Sequence, residues 1–242
     1  RALADARRIG RDDIVIHSLN NVGTSLLMQG DDRGIALLDE SLQLALAANR
    51  HSDAGRAMIN IAESLSAQRD FIRAESYART GLQFCNDHDL DCYMLCLLGD
   101  QSQTRMVRGD WSGAADDAEA VLAHPRVPPV DKIPALATLA RMRARRGDPD
   151  VAGPLDEALA LALSTEEMIR LWPVAAARLE VTWLRQPADR AQVERELEFG
   201  RYVADLAARV HNRWALGEVS FWLARVDPSG VDSADAAPPF RA

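Results

Sequence analysis

Segments with apolar residues at helical spacing alternate along this chain with short polar turn signals. Each signal is a pair of residues, such as Gly-Asp, that ends one helical segment and precedes the next. The second residues of these pairs are 38 to 40 positions apart, at Asp31, Asp70, Asp110, Asp148, Pro187 and Asp227. A period of roughly 20–50 residues marks an array of supersecondary units, and about 40 residues accommodate two helices and a tight turn. Because strand signals are nearly absent, the pattern predicts an all-α fold in which about six helix-turn-helix repeats form a right-handed α-solenoid.

Two further positions repeat within these units. A small residue lies eight positions before four of the turn markers, at Gly23, Ala62, Ser102 and Ala140. In the last two units this position holds Leu179 and Val219. An aromatic residue directly follows two markers, at Phe71 and Trp111, and an alanine follows three positions later. These offsets resemble the tetratricopeptide repeat, which has units of roughly 34 residues and would place a bulky side chain against a small one between its helices.

The ends of the chain differ from the units between them. Residues 1–11 form a helical pattern with a Gly stop but no preceding N-cap residue, so we expect the second helix of a truncated repeat. Residues 12–227 form the repeat array. Residues 228–242 are rich in Pro, Asp, Ser and Ala and are expected to be an irregular tail or linker. This organisation suggests a segment of a longer protein.

The composition argues against several classes of function. The formal net charge of −8 argues against direct nucleic-acid binding, which requires a basic surface. Neither an apolar stretch of about 18 residues nor a signal-peptide layout is present, so we expect a cytoplasmic location and no membrane partner. The three cysteines lack the spacing of a zinc site, and Cys92 and Cys96 are interpreted as small core residues.

A broader resemblance covers most of the chain. Its clearest part is the run GDWSGAADDAEAVL at 109–122, and it continues through 133–136, 143–149, 154–159, 173–178 and 183–184, with further matches at 19–24 and 221–225. These segments resemble the repeat region of large ATP-binding, maltose-activator-like transcriptional regulators of the LuxR type. The resemblance implies a bacterial protein in which an ATPase domain precedes the repeats and a DNA-binding domain follows them.

Neither catalysis nor a cofactor is expected in this segment. The five histidines lie in different units or turns, and no Gly-x-Ser-x-Gly motif is present. A Gly-rich phosphate loop ending in Gly-Lys-Ser or Gly-Lys-Thr is also absent from the sequence. We therefore predict a protein that is not an enzyme and that holds no cofactor or metal here.

The position seven before each marker supplies four of the candidate binding residues. All six residues at this position are polar, and if the first helix of each unit lines the concave face, they point into it. They are Thr24, Glu63, Gln103, Arg141, Glu180 and Ser220. The predicted binding set is Asn20, Asn60, Glu63, Gln103, Arg141, Glu180 and Trp183. In one interpretation Arg141 binds an acidic group of a ligand. Asn20, Asn60 and Glu63 then supply hydrogen bonds. In the other, Arg141 lies between Gln103 and Glu180 and satisfies these neighbours only.

The tryptophans also have two possible roles, one in binding and one in the core. Four of the five lie in the last third of the chain, at Trp172, Trp183, Trp214 and Trp222. They either line a pocket or docking patch or belong to the core.

Together the repeats, the polar positions and the resemblance predict a sensor and protein-interaction domain of a LuxR-type regulator, which binds a small-molecule inducer or a protein and signals to flanking domains. The alternatives are a tetratricopeptide scaffold that binds a peptide or protein without a small ligand, and a structural spacer.

Overall fold

The computed structural model describes residues 2–186 and 189–230, and within these ranges all regular structure is helical. The predicted all-α fold is therefore confirmed. The helices are α1 Ala2–Arg8, α2 Asp12–Met28, α3 Arg33–Ala47, α4 His51–Ala67, α5 Phe71–Asp87, α6 Asp91–Arg108, α7 Trp111–Ala123, α8 Lys132–Arg146, α9 Ala152–Thr165, α10 Met168–Arg185, α11 Arg190–Arg209 and α12 Arg213–Val226. Two short 3₁₀ turns lie at Pro129–Asp131 and Pro228–Gly230.

The predicted turn markers coincide with helix ends, for local reasons. Gly109 follows α6 with φ of +90°, a left-handed conformation that glycine adopts at little cost. The next residue, Asp110, is the N-cap of α7, and its side chain accepts a hydrogen bond from the Gly113 backbone N–H. Asp70 caps α5 in the same way through the Arg73 N–H. At the fifth marker, Pro187 lies outside the described residues.

The helices belong to two compact units, residues 1–104 and 105–242, and the boundary falls within α6. In the N-terminal unit α1 packs on α2, α2 on α3, α3 on α4 and α4 on α5, and α2 also packs on α4. In the C-terminal unit α10 packs on both α8 and α12, α9 packs on α8 and α10, and α11 packs on α10 and α12. Packing between sequence neighbours and between first helices of successive pairs is the arrangement of an α-solenoid.

Backbone packing is closest in the first helix pair. A Cβ atom on Gly23 of α2 would lie 2.8 Å from the carbonyl oxygen of Gly34 on α3, so neither position has room for a larger residue. Next to this contact lies a core cluster of Leu27, Leu38, Ile61, Leu65 and Ala74. The small residue at the repeat position therefore allows two helices to approach closely, as the sequence predicts.

The same repeat position is buried in all six units, including those with Leu179 and Val219. In α10 the larger Leu179 is accommodated because the facing residue of α11 is Gly200, whose added Cβ would lie 2.8 Å from the Leu179 side chain. The register of the repeat is thus retained, and the small residue has moved to the partner helix.

The predicted boundaries at 11/12 and 227/228 stay predictions. Within residues 1–11 the structure forms α1, which packs on α2. Within 228–242 it forms the short turn Pro228–Gly230, and residues 231–242 lie outside the described part of the chain.

Candidate functional site

Two of the predicted binding residues meet in the N-terminal unit. Asn60 of α4 donates a hydrogen bond from Nδ2 to Oδ1 of Asn20 on α2, at 3.1 Å. Asn20 is buried and Asn60 is half-buried. The two residues are 40 positions apart, within one position of the 39-residue step from Asp31 to Asp70, so corresponding turns of adjacent first helices lie next to each other.

Three further polar residues extend this contact towards solvent. Asn20 donates to Oδ1 of Asn21 at 3.4 Å, and Nδ2 of Asn21 lies 3.2 Å from Nε2 of His17. Arg56 of α4 donates from Nη1 to Nδ1 of His17 at 3.1 Å. We call the five residues His17, Asn20, Asn21, Arg56 and Asn60 the polar strip.

Sequence reasoning did not identify three members of the polar strip. His17 and Asn21 are exposed, and Arg56 is half-buried. A signal existed for His17 and Arg56, because they are 39 positions apart and therefore equivalent in successive units. The strip presents hydrogen-bond donors and acceptors of several types on two adjacent helices, which suits the recognition of a polar or peptide ligand.

The other predicted residues of this unit lie at half-buried positions. Glu63 is on α4 and Gln103 is on α6. Glu63 takes part in a polar or charged interaction within the structure. Their role in binding stays a prediction.

In the C-terminal unit the predicted residues Arg141 and Glu180 belong to a buried network of charges. Nε of Arg141 on α8 lies 2.5 Å from Oε2 of Glu180 on α10, and Nη2 lies 3.1 Å from Oε1 of Glu218 on α12. Arg145 binds the other Glu180 oxygen at 2.6 Å. Trp172 donates its indole N–H to Oε2 of Glu218 at 3.0 Å. We call these five residues the ion network.

Burial decides what the ion network can do. Arg141 is 8% exposed and Glu180 is 2% exposed. Burial by itself would lower the pKa of Arg141, but Glu218 and Glu180 offset this effect and hold the pKa above its ordinary value. The guanidinium therefore stays charged, with two carboxylates bound to it. This geometry favours the interpretation in which the polar positions of this unit satisfy one another.

Glu218 was not among the predicted residues. The repeat offset selects Ser220, which is exposed, whereas Glu218 two positions earlier reaches Arg141. No sequence signal distinguishes the two positions, because which of them reaches Arg141 depends on how α12 packs against α10.

Trp183, the last predicted residue, belongs to an aromatic surface at the C-terminal ends of α10 and α12. The Trp183 and Trp222 ring centroids are 5.9 Å apart, and Phe221 meets Trp222 edge-on at 5.0 Å. The guanidinium carbon of Arg225 lies 5.0 Å from the Trp183 centroid and 4.6 Å from that of Phe221. With Leu184, which is exposed, these residues form what we call the aromatic patch.

Two histidines that the sequence assigns to different units or turns lie side by side. The ring centroids of His51 and His88 are 4.0 Å apart, and His88 stacks on Phe84 at 4.2 Å. Nδ1 of His88 donates to the Phe84 carbonyl oxygen at 2.8 Å. Among the described residues there is no group of three or more His, Cys, Asp or Glu side chains placed to hold a metal ion.

Comparison with known proteins gives no family for this chain. No protein-family model matches it. No curated protein matches it either. In the described ranges, no helix combines the length and apolar character that crossing a membrane requires. The resemblance to LuxR-type regulators therefore rests on the sequence segments that carry it.

Proposed function

We propose that this chain is the helical-repeat sensor and protein-interaction region of a LuxR-type, ATP-dependent transcriptional regulator. The observation that carries the proposal is the polar strip, in which first helices of successive repeats present amide, imidazole and guanidinium groups on one surface. The stacked helices fix the spacing of these groups, which lowers the entropy lost when a ligand binds. The resemblance to the regulators supplies the context of flanking ATPase and DNA-binding domains in a bacterial cytoplasm.

A second candidate is a tetratricopeptide scaffold that binds a peptide or protein with no small-molecule inducer. The ion network favours this candidate, because Arg141 is bound by two carboxylates and is not presented to an anionic inducer. Hydrogen bonds from amide side chains to an extended backbone would then supply the affinity. The two candidates share the polar strip and differ in what occupies it.

Site-specific photocrosslinking in the host cell tests both candidates. A crosslinking residue at Asn21, in the polar strip, is compared with one at Arg79, an exposed position on α5. We expect a defined adduct at Asn21 that is absent at Arg79 and is lost when Asn60→Ala is introduced. An adduct with an ATPase or DNA-binding region of the same polypeptide supports the regulator, and one with an unrelated protein supports the scaffold.

A small-molecule inducer requires a separate measurement. Thermal unfolding of the purified chain is followed across a panel of cellular metabolites, because a ligand that binds the native state raises the unfolding temperature. A shift in the wild type that disappears in Asn60→Ala supports a sensor. Equal adducts at Asn21 and Arg79, together with no metabolite shift that depends on Asn60, would contradict a binding role for the polar strip.

A further inference from the structure

Arg225 lies among aromatic rings, and no carboxylate of the part of the chain that the structure describes pairs with it. Its guanidinium contacts the Trp183 and Phe221 rings, and it forms no hydrogen bond or ion pair with another described residue. Other arginines of the C-terminal unit are paired: Arg141 binds Glu180 and Glu218, and Arg178 binds Glu196 through two nitrogens. The aromatic patch therefore carries an exposed positive charge in a chain whose formal net charge is −8.

Contact with the aromatic ring faces restricts the Arg225 side chain before a ligand binds. A guanidinium over an aromatic face is held by the ring quadrupole, and the N–H groups at its edge remain available. These N–H groups match the two oxygens of a carboxylate, and the charge-assisted pair is stronger where apolar groups exclude water. Restricting the side chain beforehand reduces the entropy lost on binding.

The surroundings of Arg225 are apolar and accessible. Phe221 is 46% exposed and Leu184 is 38% exposed, while Trp183 and Trp222 are half-buried. Aromatic residues and arginine are the side chains most enriched among those that dominate protein interfaces. The patch extends over two helices, so a binding partner that covers it would place apolar side chains on both sides of an acidic group.

We propose that the aromatic patch binds a protein segment in which an Asp or Glu is flanked by aromatic or aliphatic side chains. The carboxylate pairs with Arg225, and the flanking side chains cover Phe221, Leu184 and the exposed edges of the tryptophans. Charge complementarity selects the acidic group, and the exposed rings select its neighbours. This inference goes beyond the proposed function, because the aromatic patch shares no residue with the polar strip.

Selection from a phage-displayed library of random peptides against the purified chain tests this inference. We expect enriched sequences with Asp or Glu next to Trp, Phe or Leu. The most enriched sequence is then synthesised with a fluorescent label and its affinity is measured by anisotropy. Arg225→Ala should weaken binding by about 10- to 100-fold, as expected for the loss of a charge-assisted contact.

Two control variants identify the source of the effect. Arg213→Ala removes an exposed arginine from the opposite end of the same helix and should leave the affinity unchanged. Arg225→Glu should reject the acidic peptide and bind a version in which Lys replaces the acid. Circular dichroism and thermal unfolding establish that each variant is folded as the wild type is.

Several results would overturn the inference. They are enriched peptides without an acidic residue, no enriched peptide at all, or affinity that Arg225→Ala leaves intact. Self-association of the chain that is lost in Arg225→Ala would identify a second copy as the occupant instead. Binding that depends on Asn60 and not on Arg225 would contradict this inference and leave the proposed function standing.

Discussion

Arg141 on α8 and Glu180 on α10 form a buried ion pair with an N–O distance of 2.5 Å. The two residues are 39 positions apart, which is one period of the repeat. Equivalent positions of successive first helices are therefore in direct contact in this unit. Glu218 and Arg145 extend the pair to a network in which each charge has an opposite charge beside it.

Removing Arg141 should destabilise the fold strongly. Arg141→Ala leaves Glu180 and Glu218 as buried carboxylates without their main cation, and breaking a buried ion pair costs about 3–5 kcal/mol. Urea denaturation measures this loss. Arg146→Ala is the matched control, because Arg146 is exposed on the same helix and its guanidinium lies over the face of Trp111. A loss below about 1 kcal/mol in Arg141→Ala would show that the network contributes little to stability.

Gly34→Ala should also destabilise the protein, for a steric reason. The added Cβ would overlap the carbonyl oxygen of Gly23, so α2 and α3 would have to separate. We expect a loss of about 1–3 kcal/mol in the free energy of unfolding, despite the higher helix propensity of alanine. Gly153→Ala in α9 provides the control, because its Cβ would meet only the Asp150 carboxylate at 3.4 Å. Equal unfolding midpoints for the two variants would be inconsistent with the close approach of α2 and α3.

Asp117 should make stability depend on pH between about 4 and 6. Burial raises its pKa from 3.8 to about 6, although Arg105 lowers it, and Asp110 and Asp116 raise it further. Its Oδ2 lies 2.9 Å from Nη1 of Arg105 but is not aligned for a hydrogen bond. Because the folded state holds this proton more tightly than the unfolded state, the stabilisation is complete below the unfolded pKa and is lost as pH rises through 6.

Asp117→Asn tests this linkage. The variant cannot ionise at this position, so its free energy of unfolding should rise relative to that of the wild type as pH increases from about 4 to 7. Urea denaturation of both proteins across this range measures the difference, in which contributions from other titrating groups largely cancel. A difference that stays constant with pH would show that Asp117 titrates alike in the folded and unfolded states.

The N-cap of α7 should contribute less to the free energy of unfolding than the ion network does. Asp110→Ala removes the side-chain acceptor for the Gly113 N–H and should cost about 0.5–2 kcal/mol. Asp116→Ala is suited as a control, because Asp116 is exposed within the same helix. If both variants lose the same stability by thermal unfolding, the effect of Asp110 comes from its charge and not from capping.

Much of the fold could be predicted because its determinants are local. A glycine at φ of +90° and a capping aspartate end one helix and begin the next with only a few residues involved, as at Gly109 and Asp110. The repeat period then identifies which positions are neighbours, and Arg141 and Glu180 do meet. Periodicity could not indicate that the bulk of Leu179 is accommodated by Gly200, because the two residues lie on different helices.

The sequence by itself determined the all-helical fold, the turns and the polar character of the first helices, since these depend on local conformation and on a constant period. Only the tertiary structure decided which polar residues face water. Arg141 and Asn60 occupy predicted binding positions, yet the first is enclosed by carboxylates from α10 and α12 while the second lies half-buried in the polar strip. The difference arises because the cost of burying a charge depends on the partners that neighbouring helices supply, and those partners are distant in sequence.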